Sequence, residues 1–138
     1  MPEHDPTSGI VFLTIDDVRA LHRDTLEVEG GADGVIDAGR IEAAIAMPMQ
    51  RYGGALLHAG LIEMAAAYLF HVCQAHAFRD GNKRVATLSC TIFLRLNGVP
   101  VPAMPDPEGF EQTVLKIASG AMSKADATDW LREHVDPT

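Results

Sequence analysis

A chain of 138 residues with 47% hydrophobic content carries enough apolar side chain for one continuous core, so a single domain over residues 1–138 is expected, with 1–9 and 136–138 as flexible tails. Aspartate and glutamate outnumber lysine and arginine by 19 to 11, a formal charge of -8, which excludes a general attraction to nucleic-acid backbones or anionic membranes. The most apolar run, Leu61 to Ala75, is interrupted by Glu63 and His71, and the opening MPEHDPTSG has neither the basic nor the apolar part of a secretory signal; the expectation is a soluble, cytoplasmic protein with no direct nucleic-acid partner and no membrane.

Thr14 can cap a first helix, with Asp17 completing a TIDD capping box, and Ile15, Val18, Leu21 and Thr25 then share one face. That helix should stop at the glycines of EGGADG. Asp37 caps a second helix that turns Ile41, Ala44 and Ile45 inward, with Pro48 just past its end. QRYGGALLH reads as an exposed loop or small hairpin. From Gly60, the residues Leu61, Met64, Ala65, Tyr68, Leu69 and Val72 recur at helical spacing up to Ala75. Val85 to Leu96 is apolar on nearly every side, as in a helix enclosed by others, and ends at Asn97-Gly98. It is read as the central buried helix of the fold. Cys73 and Cys90 fall inside these two apolar runs and read as small buried thiols in place of a disulfide.

VPVPAMPDP cannot continue the helix, but Asp106 as cap and Pro107 in the first turn suit a new one through Phe110, Val114, Ile117 and Ala118, closed by Gly120. Ser123 with Asp126 caps a last helix bearing Ala127, Trp130 and Leu131. The sum is an all-α domain of about six helices.

The turn between the two strongest helices reads HAFRDGNKR, residues 76–84. The first amides of a helix lack internal partners and sit at the positive end of its dipole, so the backbone of Asn82, Lys83 and Arg84 is suited to a phosphate, and two of these residues add cationic side chains. Gly81 permits close backbone approach, and Asp80 offers the oxygen ligand that magnesium takes beside nucleotide phosphates. Phe78 pins the turn into the core. The imidazole of His76 could accept a proton from an attacking hydroxyl. Each residue also has a plain structural role: Asp80 as a cap, Lys83 and Arg84 as solvated charges, His76 as a helix-end residue on the dipole. Those roles need only two or three of these residues. Base, metal ligand and phosphate clamps together describe phosphoryl or nucleotidyl transfer.

HAFRDGNKR resembles the signature HxFx(D/N)(G/A)NKR of the death-on-curing (Doc) branch of the Fic/Doc family. GGADGVIDAGRIEAAIAMP resembles the segment leading into the core of that family, and TIFLRLNG the end of its central helix, so the resemblance runs from Phe12 to His134. It implies an all-α Fic-type fold and a toxin of a toxin–antitoxin pair. It also implies that His76 is the base, Asp80 the magnesium ligand, Phe78 the loop anchor, Gly81 and Asn82 the anion-binding turn, and Lys83 and Arg84 the phosphate contacts, with ATP and Mg2+ as cofactors. Two positions depart from the adenylylating pattern HxFx(D/E)GNGRxxR: Lys83 replaces its second glycine and Thr87 its further arginine. A lysine side chain fills part of the nest that a glycine leaves open, so a triphosphate cannot lie the same way. Doc-type proteins share this lysine, and the resemblance implies transfer of the γ-phosphate to a threonine of elongation factor Tu, arresting translation.

Adenylyl transfer by the same His76 and Asp80 is the alternative enzyme, a ribonuclease is disfavoured by the acidic balance, and an inactive antitoxin-binding module is the non-enzymatic alternative. HVCQAH offers His71, Cys73 and His76, but residues two apart on a helix face different ways, against a zinc site. TLEVEG, residues 25–30, matches a loose inhibitory motif, (S/T)xxxE(G/N), of self-restrained Fic proteins, although its place at the end of the first helix resembles ordinary Doc sequence. Inhibition is therefore expected from outside, by an antitoxin segment folding as a helix into an apolar groove. Arg51 and Tyr52 are expected on a surface loop, with docking of a target backbone as the other reading.

Overall fold

The structure is a computed structural model that describes residues 3–5, 8–31, 34–100 and 106–135. Among these, six helices follow the expected order: α1 (Ile15–Glu29), α2 (Ala38–Ala46), α3 (Leu61–Ala75), α4 (Asn82–Leu96), α5 (Pro107–Ala118) and α6 (Lys124–His134). Two short antiparallel ribbons accompany them. β1 (Glu3–His4), within the stretch read as a tail, pairs with β2 (Val11–Phe12), and β3 (Arg51–Tyr52) pairs with β4 (Ala55–Leu56) as the hairpin of QRYGGALLH. The connection 101–105 and the tail 136–138 lie outside the described residues.

Four of the six described helix starts follow from side-chain caps. Thr14 accepts from the Asp17 amide while the Asp17 carboxylate takes the Thr14 amide, the reciprocal box expected of TIDD. Asp37, Asp106 and Ser123 each accept an amide of the following turn, from Gly39, Gly109 and Asp126.

α3 and α4 share the centre: α3 packs on α2, α4, α5 and α6, and α4 on α1, α3 and α5. Consecutive alanines, Ala65, Ala66 and Ala67, are fully buried on α3, and their small side chains let neighbouring helices approach on several sides. On α4, Phe93 is sealed between Tyr68 at 5.0 Å and Phe12 at 5.9 Å, centroid to centroid. Truncating it to alanine would cost about 3–5 kcal/mol. The Tyr68 hydroxyl accepts the Leu13 amide at 2.9 Å, fixing the chain as it enters α1. At the far end of α4, the Asn97 side chain accepts from the Val11 amide and donates to the Val11 carbonyl, both at 2.8 Å, strapping β2 to the helix. No described helix is long and apolar enough to cross a membrane.

Candidate functional site

α3 ends because His76 takes the left-handed conformation, φ 46° and ψ 44°, the one described non-glycine residue with positive φ. That geometry costs a side-chain-bearing residue about 1 kcal/mol or more, so neighbouring bonds must hold it. They do so from two sides. On one, residues 34–37 run antiparallel to the loop: Arg79 N–H donates to the Gly34 carbonyl at 3.0 Å, and Ile36 N–H to the Ala77 carbonyl at 2.7 Å, around a Val35–Phe78 bridge. On the other, the Asn82 side chain accepts the Phe78 amide at 3.1 Å and donates to the Phe78 carbonyl at 2.8 Å. Phe78 is buried, with its ring 3.8 Å from that of His22 and nearly parallel to it.

His76 and Asp80 are both exposed on this loop, and Arg40 lies close to the His76 carbonyl, with Nη1 at 3.5 Å. The imidazole is thus not folded into the core. Gly81, at φ 85°, begins α4 without a side-chain cap, and the first ladder bond runs from Val85 N–H to the Gly81 carbonyl at 2.9 Å. The amides of Asn82, Lys83 and Arg84 precede that bond and have no partner inside the helix.

Gly81, Asn82, Lys83 and Arg84 come together along one wall of a cleft of about 680 Å³. α5 supplies a second, mainly apolar wall through Pro107, Phe110, Val114 and Leu115, with Glu111 its one charged member, and Glu29 stands at the end of α1. His76 and Asp80 do not line this cleft; they sit on the loop that leads into it. Thr87 does line it, but its hydroxyl turns back to the Lys83 carbonyl at 3.0 Å, so no long cation reaches in from that turn. Arg84 Nε lies 3.5 Å from Glu29 Oε1. The Lys83 charge also acts on Cys73, whose thiol burial pushes up to about 11 against the lysine's opposing pull.

Other residues singled out in the sequence fall elsewhere. Cys73 and Cys90 are free, buried thiols, and no group of three or more metal-ligating side chains gathers among the described residues. Arg51 bonds Asp5 at 2.9 Å, tying the β3–β4 hairpin to the segment after β1, while Tyr52 is 83% exposed. His22 lies outside the inward face expected from Ile15, Val18, Leu21 and Thr25, yet it is buried and its Nε2 meets the Asp80 carbonyl at 2.7 Å. The signal lay in the sequence: Val18, His22 and Thr25, the buried residues of α1, fall at i, i+4 and i+7.

A model of the Fic/DOC family matches residues 12–94, which span β2 through the last turns of α4 and include the whole loop. "Protein kinase doc" of Escherichia phage P1 is 37% identical over 120 residues, 87% of this chain and 92% of that protein. "Toxin Doc" of Mycolicibacterium smegmatis is 36% identical over 90 residues, 65% of this chain and 69% of that protein. With the helical fold, the HAFRDGNKR turn between its central helices and these similarities in agreement, the chain belongs to the Fic/DOC family.

Proposed function

We propose that this chain is a Doc-type toxin that transfers the γ-phosphate of ATP to a protein hydroxyl, with a threonine of elongation factor Tu as the acceptor and a cognate antitoxin as its inhibitor. The observation that carries the reading is the wall of the cleft, where the uncapped first turn of α4 and two cationic side chains, Lys83 and Arg84, lie directly after a loop exposing His76 and Asp80. A triphosphate takes the amides as hydrogen-bond donors and the two cations as counter-charges. The apolar wall of Phe110, Val114 and Leu115 suits the flat face of a base.

His76 takes the proton of the acceptor hydroxyl. The hydroxyl oxygen then bonds to the γ-phosphorus, and the bond from that phosphorus to the bridging oxygen breaks with its electron pair leaving on ADP. Asp80 would hold magnesium, which neutralises charge on the phosphate oxygens; one carboxylate suits an ion that completes its shell with water and phosphate oxygens. Lys83 and Arg84 stabilise the charge that spreads over the transferred group.

Two features favour γ-phosphate over AMP transfer. Lys83 lines the cleft at the position where the adenylylating pattern has a glycine, and a lysine side chain takes up room that a glycine leaves open; Thr87, turned onto its own helix, supplies no cation to a phosphate further along the cleft. The test is incubation of the purified chain with elongation factor Tu and ATP labelled at either the α- or the γ-phosphate, beside a His76→Ala control. Label from the γ-position alone, lost in the control, is expected. Label from the α-position would make the protein an adenylyltransferase, and no transfer of either label to the factor or to extract proteins would leave only an antitoxin-binding role.

A further inference from the structure

His22 is the one imidazole among the buried polar side chains of the described residues, and nothing in the proposed reaction uses it. The hydroxyls of Thr25, Ser89 and Thr91 return to carbonyls of their own helices. His22 instead reaches a segment 58 residues away, where Nε2 meets the Asp80 carbonyl at 2.7 Å. A carbonyl oxygen has no proton to give, so Nε2 carries the hydrogen and donates it. The distance is at the short end of the N–H···O range.

This bond has a directional consequence. In a trans peptide the C=O and the following N–H are coplanar and point in opposite directions. Turning the Asp80 carbonyl inward onto α1 therefore turns the Gly81 N–H away from α1, and Gly81 lines the cleft. The same ring closes the space behind the glycine: a Cβ at Gly81 would sit 3.4 Å from His22 Cδ2 and 3.5 Å from Nε2, in a backbone conformation, φ 85°, that side chains rarely adopt. Its face also backs Phe78, the residue that roots the loop. One buried side chain thus contacts the loop at its root, at the carboxylate-bearing residue and at the glycine that opens α4.

We propose that His22 is a positioning residue: its Nε2–H holds the Asp80–Gly81 peptide in the one orientation that presents the start of α4 to a phosphate. The catalytic consequence rests on the phosphotransferase reading of the cleft, whereas the effect on the loop does not. His22→Phe keeps a ring against Phe78 and removes the donor. His22→Gln removes the ring and keeps an amide N–H at about the reach of Nε2.

The decisive measurement in the ligand-free chain is amide hydrogen exchange over residues 79–83. His22→Phe should speed exchange there by about tenfold, the order expected for one lost buried hydrogen bond, and leave α3 unchanged; His22→Gln should restore most of the protection. In the transfer assay, His22→Phe should raise KM for ATP by about tenfold on the same reasoning, with KM for the acceptor protein unchanged. A packing role alone would lower the folded fraction and kcat with both KM values intact. The inference is overturned if exchange at 79–83 is unaltered in His22→Phe, or rises equally along the whole chain, or if His22→Gln fails to improve on His22→Phe. Should His22→Phe not fold, His22→Met against His22→Gln makes the same comparison, two side chains of like length of which one has a donor. A parent chain that transfers no phosphate refutes the kinase reading, and the exchange data still decide the role of His22. A parent that transfers it, beside a His22→Phe protein with the same KM for ATP, refutes the catalytic part of the inference alone.

Discussion

Glu29 Oε1 stands 3.5 Å from Arg84 Nε at the cleft, so a carboxylate from the end of α1 competes for the guanidinium that the proposed reaction assigns to a phosphate. Both side chains are about half exposed, and such pairs are worth about 0.2–1 kcal/mol. Glu29→Gln is therefore expected to tighten ATP binding by up to about fivefold, with the gain shrinking as salt is added. Titration calorimetry at low and high ionic strength measures both effects. Unchanged affinity at low salt would mean that Arg84 does not meet the nucleotide.

His76 has two separable burdens, a left-handed backbone and an exposed imidazole. His76→Ala and His76→Gly should both lose transfer activity by roughly two to four orders of magnitude, the usual contribution of a general base. They should differ in stability, because glycine adopts φ 46° freely and alanine does not, an advantage of about 1 kcal/mol to the glycine variant. Thermal melts of the pair read this difference. A glycine variant melting below the alanine one would contradict the conformation at this helix end.

Away from the cleft, Lys124 Nζ lies 3.2 Å from His71 Nε2 and 3.5 Å from His58 Nε2. An ammonium only donates, so both facing nitrogens accept and both rings are held neutral. Burial first, then the Lys124 charge and His58, push His71 down to about 4; burial and Lys124 also lower His58, against the pull of Glu63. Above the ordinary histidine value of 6.5 the ring is neutral folded or unfolded, and there is no effect. Between about 6.5 and 4 the unfolded chain binds a proton that the folded one refuses, so stability falls as the pH drops. Lys124→Met should flatten this part of the melting-temperature profile. Parallel profiles for the two proteins would exclude the lysine as a cause.

Burial pushes the Cys73 thiol up to about 11 and the Cys90 thiol up to about 12, so neither forms appreciable thiolate at pH 8. An aromatic disulfide reagent should leave both untouched in the native protein and titrate 2 thiols once the chain is unfolded. Rapid native labelling of either would contradict the packing of α3 against α4.

Most of the fold was legible because four of the six described helices begin on a side chain that announces them, while α3 and α4 begin at glycines without a side-chain cap. Thr14, Asp37, Asp106 and Ser123 all cap as their spacing predicts, and the apolar periodicity of α3 marks its inner face. The pairing of β1 with β2 was not legible, since two-residue strands carry no period and Asn97, which straps β2 to α4, lies 86 residues beyond Val11. In the site, the motif placed Gly81 through Arg84 on one wall, but not the apolar wall from α5 or the approach of Glu29, which depend on packing between distant segments. The role of His22 is not legible in the sequence, because a histidine on an inward face resembles a polar interruption and its partner is a backbone carbonyl with no sequence signature.

Asn97 at one end of α4 and Asn82 at the other bind the helix to its surroundings through both their oxygen and nitrogen atoms. A rod fastened at both ends cannot swing to meet what arrives. The ordering cost that a flexible anion site would face at each encounter is here borne once, during folding, so selection among ligands falls to shape and charge already in place before contact.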